Sequence, residues 1–250
     1  MDFSEYLKKI ELDDSRKSIL LQSKRIVSFS PHPDDNDIIA GGFVSKKIRE
    51  GSEFHLVVVS DGRKGSRTIG EEELKRVRAN EQREALKILG SDNVRFLGYR
   101  DSEIPQPSIL RNDVIKIIRE FSPDLVITVD PYLPYEAHPD HLNTGMAVLQ
   151  AVLFEEFPNF GEGKPVKSPY VALGFSYSPN VILDCSDEMD RKVAAINAHA
   201  SQFFDESSME IVKGISRLYG QRIGCQYAEP FRLLMPSEVH VNILGGMNPW

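Results

Sequence analysis

The 250-residue chain is poor in cysteine, with Cys185 and Cys225 far apart and outside any C-x-x-C pair. That excludes a disulfide framework and a cysteine zinc site, so any metal must be held by other ligands. Basic charge is also scarce, since 30 Lys and Arg against 37 Asp and Glu leave a net charge of −7. With a pI near 5.5 the chain has no broad positive field to hold a phosphate backbone, which argues against nucleic acid as a partner. Apolar runs are short, and none approaches the roughly 20 residues of a membrane-spanning helix. The opening stretch "MDFSEYLKKIELDDSRK" is too charged for the apolar segment of a signal peptide. The expectation is a cytoplasmic protein without a membrane partner.

What the chain has is an ordinary globular balance, 41% hydrophobic and 27% charged, with a recurring order along it. An apolar β-branched run is followed by a Gly/Pro/Asp-rich loop and then by a stretch with helical periodicity. "RIVSFS" precedes a helix expected from Ile38 to Glu50, and "EFHLVVVS" precedes a loop and the helical "EEELKRVRANEQREALKILG". "NVRFLGY" and "DLVITVD" are further strands, each followed by helical sequence, the last over 141–157. Gly51 and Gly90 read as helix C-terminal caps. Near-continuous apolar strands alternating with amphipathic helices predict a Rossmann-like α/β/α three-layer sandwich around a mostly parallel sheet. One domain over 1–250 is expected, with an N-terminal helix in 1–24, the Rossmann-like core in 25–157, and a C-terminal part in 158–250. In that last part 170–183 reads as strand, 186–203 and 208–219 as helix, and 226–243 as strand and tail.

Two loops carry the chemistry. "SFSPHPDDND" follows the first strand and "PYEAHPDH" follows the fourth, at the strand ends where open α/β sheets bind ligands. His32 and Asp35, three apart in a turn, can converge on one ion, and a histidine of the second loop, which contains His138 and His141, would complete three protein ligands. Two histidines and one carboxylate leave a coordination position for water, whose pKa zinc brings down to about 7. The same set also suits iron, cobalt or manganese. Asp34 beside Asp35 places two like charges in one turn, a repulsion that a cation relieves. Asp35 then binds the ion, and Asp34 acts as general base toward the bound water. The plainer reading of Asp34 is a helix N-cap.

These motifs resemble those of the PIG-L/LmbE-like zinc-dependent N-deacetylases, which remove acetyl groups from N-acetylglucosamine compounds. "PHPDDNDIIAGG", "SDGRKGS", "EQREALKILGSDNVRFLGYRD", "HPDH", "INAHASQF" and "QYAEPFR" all look like segments of that family, so the resemblance spans nearly the whole chain. It implies one zinc per subunit on His32, Asp35 and His141, with Asp34 as general base. It also implies that His138, as an imidazolium, stabilises the transition state or protonates the leaving amine. Arg67 in "KGSRTIG" resembles a substrate-contacting arginine, and Asp101 in "GYRD" a sugar-hydroxyl acceptor. The implied partner is a small amino-sugar substrate, and homo-oligomers are common in the family. Asp37 and Ile39 stand where members often carry glutamate and glycine, and Glu136 stands where some carry tyrosine, with Tyr135 next to it.

Two other function classes fit parts of the pattern. An amidase for a thiol conjugate or another acyl group would use the same site, and a non-catalytic sugar- or metal-binding protein would need the ligands without Asp34. Of the remaining histidines, His55 and His240 are read as packing or surface residues, while His199 is open between a pocket residue and a helix-face histidine hydrogen-bonded within the core. Glu229 and Arg232 are close enough in sequence to form a structural pair.

Overall fold

The computed structural model describes residues 3–203 and 206–242. Five strands, β1 (Arg25–Ser30), β2 (Glu53–Ser60), β3 (Val94–Tyr99), β4 (Leu125–Val129) and β5 (Tyr170–Gly174), run parallel. Two more, β6 (Val181–Asp184) and β7 (Ala228–Leu234), complete a sheet of order β3-β2-β1-β4-β5-β7-β6, in which β7 is antiparallel to both its neighbours. Strand order reverses between β1 and β4, so the crevice at their carboxyl ends is the topological switch point of the sheet.

The strands are apolar on both faces because helices cover both. On one face Ile26, Leu56, Val58 and Ile127 pack against α3 (Asp35–Arg49) and α4 (Glu71–Leu89). On the other, Val27, Phe29, Val57 and Val126 meet α5 (Pro107–Phe121) and α6 (Pro139–Phe154). In α5 the buried Leu110, Val114, Ile117 and Ile118 recur at the helical interval, which directs one stripe onto the sheet. Gly51 and Gly90 follow α3 and α4 with φ of 84° and 107°, the left-handed conformation that ends a helix. Gly145 has a different task. A Cβ there would stand 2.7 Å from the Val129 carbonyl oxygen, so only glycine lets α6 lie this close to the end of β4.

Several boundaries differ from expectation. The first 24 residues hold two helices, α1 (Phe3–Lys9) and α2 (Asp14–Gln22), the second begun by Asp13, whose carboxylate accepts from Ser15 N and Arg16 N. α3 begins at Asp35 and α6 at Pro139, both earlier than the periodicity suggests, because Pro and Asp in the loops serve as first-turn residues. The stretch 186–203 contains a short 3-10 turn (Ser186–Glu188) and α7 (Met189–Asn197), while α8 spans Glu206–Ile223. Residue 243 of the expected strand and tail lies outside the described residues. Glu229 and Arg232 do not pair. An odd spacing puts them on opposite faces of β7, so Glu229 binds Lys192 Nζ at 2.7 Å while Arg232 donates to Ser178. Among the described residues no helix is long and apolar enough to cross a membrane.

Candidate active site

The loop after β1 and the loop after β4 meet at the switch point. Ser30 Oγ donates to the His32 carbonyl and accepts from Asn36 N, which closes the first loop into a tight turn before α3. In this turn Asp34 has φ 122° and ψ −34°, a backbone conformation that L-residues rarely adopt and that typically costs about 1–3 kcal/mol. Gln82 Oε1 accepts from Asp34 N at 2.9 Å and holds the peptide there. The Asp34 side chain makes no capping bond to α3, so the N-cap reading fails. It goes instead to Arg78, whose Nη2 lies 3.1 Å from Asp34 Oδ2.

His32, Asp35 and His141 converge with ligand atoms within 4.8 Å of one another. His32 Nδ1 is 3.2 Å from Asp35 Oδ2, and His141 Nε2 is 3.4 Å from Asp35 Oδ1. Donors about 2.1 Å from a tetrahedral ion stand about 3.4 Å apart, so these spacings fit a metal of zinc's size. The opposite nitrogen of each imidazole has a carboxylate partner. His32 Nε2 is 3.2 Å from Asp140 Oδ2, and His141 Nδ1 is 3.0 Å from Glu136 Oε2. Such carboxylates fix the tautomer and ring orientation of metal-binding histidines. Asp140 is fully buried and also accepts from Ser102 N and Ile104 N, so the loop after β3 is tied to the same cluster.

The electrostatics call for a cation. Burial alone would lower the His32 pKa, but hydrogen bonds to Asp101, Asp140 and Asp35 outweigh it and push it up to about 12. Burial likewise works against ionised Asp35, yet His141 and His32 hold its carboxyl well below the usual range. Asp101 is lowered against its burial by His32 and by the Lys64 backbone N–H. Asp34 behaves differently: burial, aided by the Asp35 charge, pushes it up to about 6 against the pull of Arg78.

His138 lies with its ring centroid 4.5 Å from that of His32, and His32, Asp101 and His138 form a second group of converging ligand atoms. His138 Nδ1 accepts from Asp140 N at 3.2 Å, which leaves the hydrogen on Nε2. Burial and the neighbouring His32 and His141 lower its pKa. Both the bond that Nδ1 accepts from Asp140 N and the lowered pKa favour a neutral imidazole with its hydrogen on Nε2.

The structure thus brings His32, Asp34, Asp35, Asp101, His138 and His141 together. Arg67 is exposed on the loop after β2, and no hydrogen bond or ion pair joins it to the cluster among the described residues. Sequence reading missed Arg78, Gln82 and the roles of Asp37 and Asp140. Asp37 Oδ2 accepts from Gln82 Nε2 and pairs with His199 Nε2, both at 2.8 Å. Of the two readings of His199 the structure supports the core one, since the side chain is fully buried and pairs with Asp37 behind Asp34.

A Rossmann-type sheet with a His–Asp–His group at its switch point, flanked by a separately held aspartate, is the architecture of the LmbE-like α/β proteins. The chain belongs to the PIG-L family, whose model, described as GlcNAc-PI de-N-acetylase, matches residues 27–152, half of the chain. Diacetylchitobiose deacetylase of Thermococcus kodakarensis is 34% identical over 231 residues, which cover 87% of this chain and 86% of that protein. "Probable N-acetyl-alpha-D-glucosaminyl L-malate deacetylase 2" of Bacillus anthracis is 30% identical over 72% of this chain and 82% of that protein. The structure of N,N'-diacetylchitobiose deacetylase from Pyrococcus horikoshii, complexed with its inhibitor MPG, matches with a TM-score of 0.87 and 34% identity. That match covers 92% of this chain and 91% of the other.

Proposed function

We propose that the protein is a zinc-dependent N-deacetylase that hydrolyses the acetamide of an N-acetylglucosamine unit in a small saccharide of the diacetylchitobiose class, giving acetate and a free amine. The observation that carries this reading is the division of labour between neighbouring aspartates. Asp35 belongs to the His32/Asp35/His141 donor set, while Asp34 is buried beside it, held by Arg78 and Gln82, with Oδ1 unbonded among the described residues. A pure binding site has no need of such a carboxylate. The saccharide class follows from the extent of the similarity to the two diacetylchitobiose deacetylases.

His32, Asp35 and His141 would hold the zinc, whose charge would acidify a water molecule and polarise the carbonyl. Asp34 takes a proton from the attacking water, and a pKa near 6 leaves it ionised at neutral pH yet basic enough to work. His138 Nε2–H donates to the carbonyl oxygen as negative charge grows on it, without itself needing to be charged. When the C–N bond breaks, Asp34 returns the proton to the departing nitrogen, so acetate and amine leave and the carboxylate is regenerated. Asp101, whose Oδ2 accepts from Lys64 N at 2.9 Å, is in this reading the acceptor for a sugar hydroxyl. A role for Arg67 rests on the resemblance alone.

Acetate release from N-acetylglucosamine, N,N'-diacetylchitobiose and the malate and inositol conjugates of N-acetylglucosamine tests this reading. The highest kcat/KM is expected on the disaccharide. A higher value on the malate or inositol conjugate overturns the substrate class, and no release from any of them by the zinc-loaded protein overturns the activity.

A further inference from the structure

Behind Asp34 lie three polar side chains with no exposed surface, Asp37 from the first turn of α3, Gln82 from α4 and His199 from the turn after α7. Burying such groups is costly unless each is bonded. These bond one another in a single line. His199 Nε2 and Gln82 Nε2 both stand 2.8 Å from Asp37 Oδ2, and Gln82 Oε1 accepts from Asp34 N at 2.9 Å. Asn36 Nδ2 donates to Asp37 Oδ1 at 3.1 Å, so both oxygens of the carboxylate are held.

The far end of the line is anchored as well. His199 N donates to Ile196 O, the His199 carbonyl accepts from Gln202 N and Phe203 N, and Ser201 donates to both carboxylate oxygens of Glu81, the residue before Gln82. The imidazole is thereby held against α4. Its other nitrogen, Nδ1, is buried without a partner among the described residues, so the bond to Asp37 is the one polar contact of this side chain among them. A residue that only filled the space would do better apolar, with no nitrogen left unpaired.

The sequence of donors and acceptors along the line reaches the base. An amide has nearly the same shape either way round, with an acceptor oxygen at one tip and a donor NH2 at the other. A carboxylate only accepts, so Asp37 admits the NH2 tip of Gln82 and directs the oxygen to Asp34 N. His199, presenting an N–H to the same Oδ2, keeps that carboxylate facing α4. With Gln82 turned round, its NH2 would meet the Asp34 N–H, donor against donor. Asp34 would then lose the bond that holds it at φ 122°, and an unsupported L-residue leaves that conformation.

We infer that His199 and Asp37 are positioning residues for the hydrolysis: through the fixed direction of the Gln82 amide they keep the Asp34 carboxylate aimed at the metal group, although neither belongs to the donor set. The inference rests on the reading of Asp34 as general base in the proposed deacetylase.

Two amide substitutions at His199 test it, because glutamine places an N–H where Nε2 stands and asparagine places one near Nδ1, short of Asp37. On N,N'-diacetylchitobiose, His199→Asn should lower kcat about tenfold or more with KM and the single bound zinc unchanged, while His199→Gln stays within about threefold of the unmodified enzyme. In a Gln82→Met background, where the line is already cut, the two variants should have equal kcat. Hydrogen exchange at the Asp34 amide should be about tenfold faster in His199→Asn than in His199→Gln, with the amides of β1 unchanged. If His199→Asn does not fold, His199→Met, which fills the space without a nitrogen, takes its place. Equal kcat or equal Asp34 exchange in the paired variants, or a difference in kcat that persists with Gln82→Met, overturns the inference. No acetate release by the unmodified zinc enzyme overturns the deacetylase reading instead, and the exchange comparison still decides whether His199 holds Asp34.

Discussion

The structure gives Glu136 a definite task that Glu136→Gln would remove. Its Oε1 accepts from His138 N at 2.8 Å, and its Oε2 faces His141 Nδ1 at 3.0 Å. Glutamine keeps an oxygen for the backbone but turns an amide N–H toward the imidazole N–H, so the bond that sets the His141 tautomer is lost. A hydrogen bond to a charged group is worth about 1.5–3 kcal/mol. The Glu136 side chain is 17% exposed, and solvent reduces this to about 1–2 kcal/mol. Converted to affinity, that is roughly a five- to thirtyfold weaker metal site, in line with the effect of removing outer carboxylates elsewhere. Competition against a chromogenic chelator reads the metal Kd, and thermal melting of the metal-free variant checks that the fold is unchanged. A zinc affinity within twofold of wild type would refute the assignment of Glu136 as the partner that orients His141.

Three further predictions follow from the same geometry. Asp34→Asn should retain one equivalent of zinc while kcat falls about 10²- to 10⁴-fold, the usual contribution of a general base; loss of the metal as well would place Asp34 among the ligands. Arg78→Met removes the cation that opposes burial at Asp34. The base must be ionised to act, so the acid limb of kcat/KM should move toward higher pH by about one unit, and an unmoved limb would exclude Asp34 as the titrating group. Gly145→Ala drives a methyl group into the Val129 carbonyl and Pro131, which should cost about 1–3 kcal/mol and weaken zinc binding by shifting His141; a melting temperature and zinc affinity equal to wild type would contradict the packing argument.

Much of this site is visible in the chain because the chemistry sits in local motifs at strand ends. "PHPDD" and "HPDH" combine turn residues with histidines that a turn does not require, and the βα rhythm brings both loops to the same end of the sheet. The residues that hold Asp34 are harder to see. Arg78 and Gln82 lie in a helix crowded with charge, where Arg76 and Arg83 look identical in kind. Yet Leu74, Arg78, Gln82, Leu86 and Leu89 follow one helical stripe, and all are buried. An arginine and a glutamine on the apolar stripe of α4 were the available signal. His199 and Asp140 gave no comparable sign, because their partners are far away in sequence and only the packed fold joins them. The antiparallel insertion of β7 between β5 and β6 was hidden for the same reason: strand pairing in this C-terminal part is nonlocal, and the periodicity of each segment does not encode its neighbour.

The most direct test of the account is to titrate zinc into metal-stripped protein while following acetate release from N,N'-diacetylchitobiose. Activity should be absent at the start, rise in proportion to bound zinc and level off at one equivalent. Acetate release by the metal-free protein, or no release once one equivalent is bound, would contradict the claim that His32, Asp35 and His141 hold the ion this hydrolysis needs.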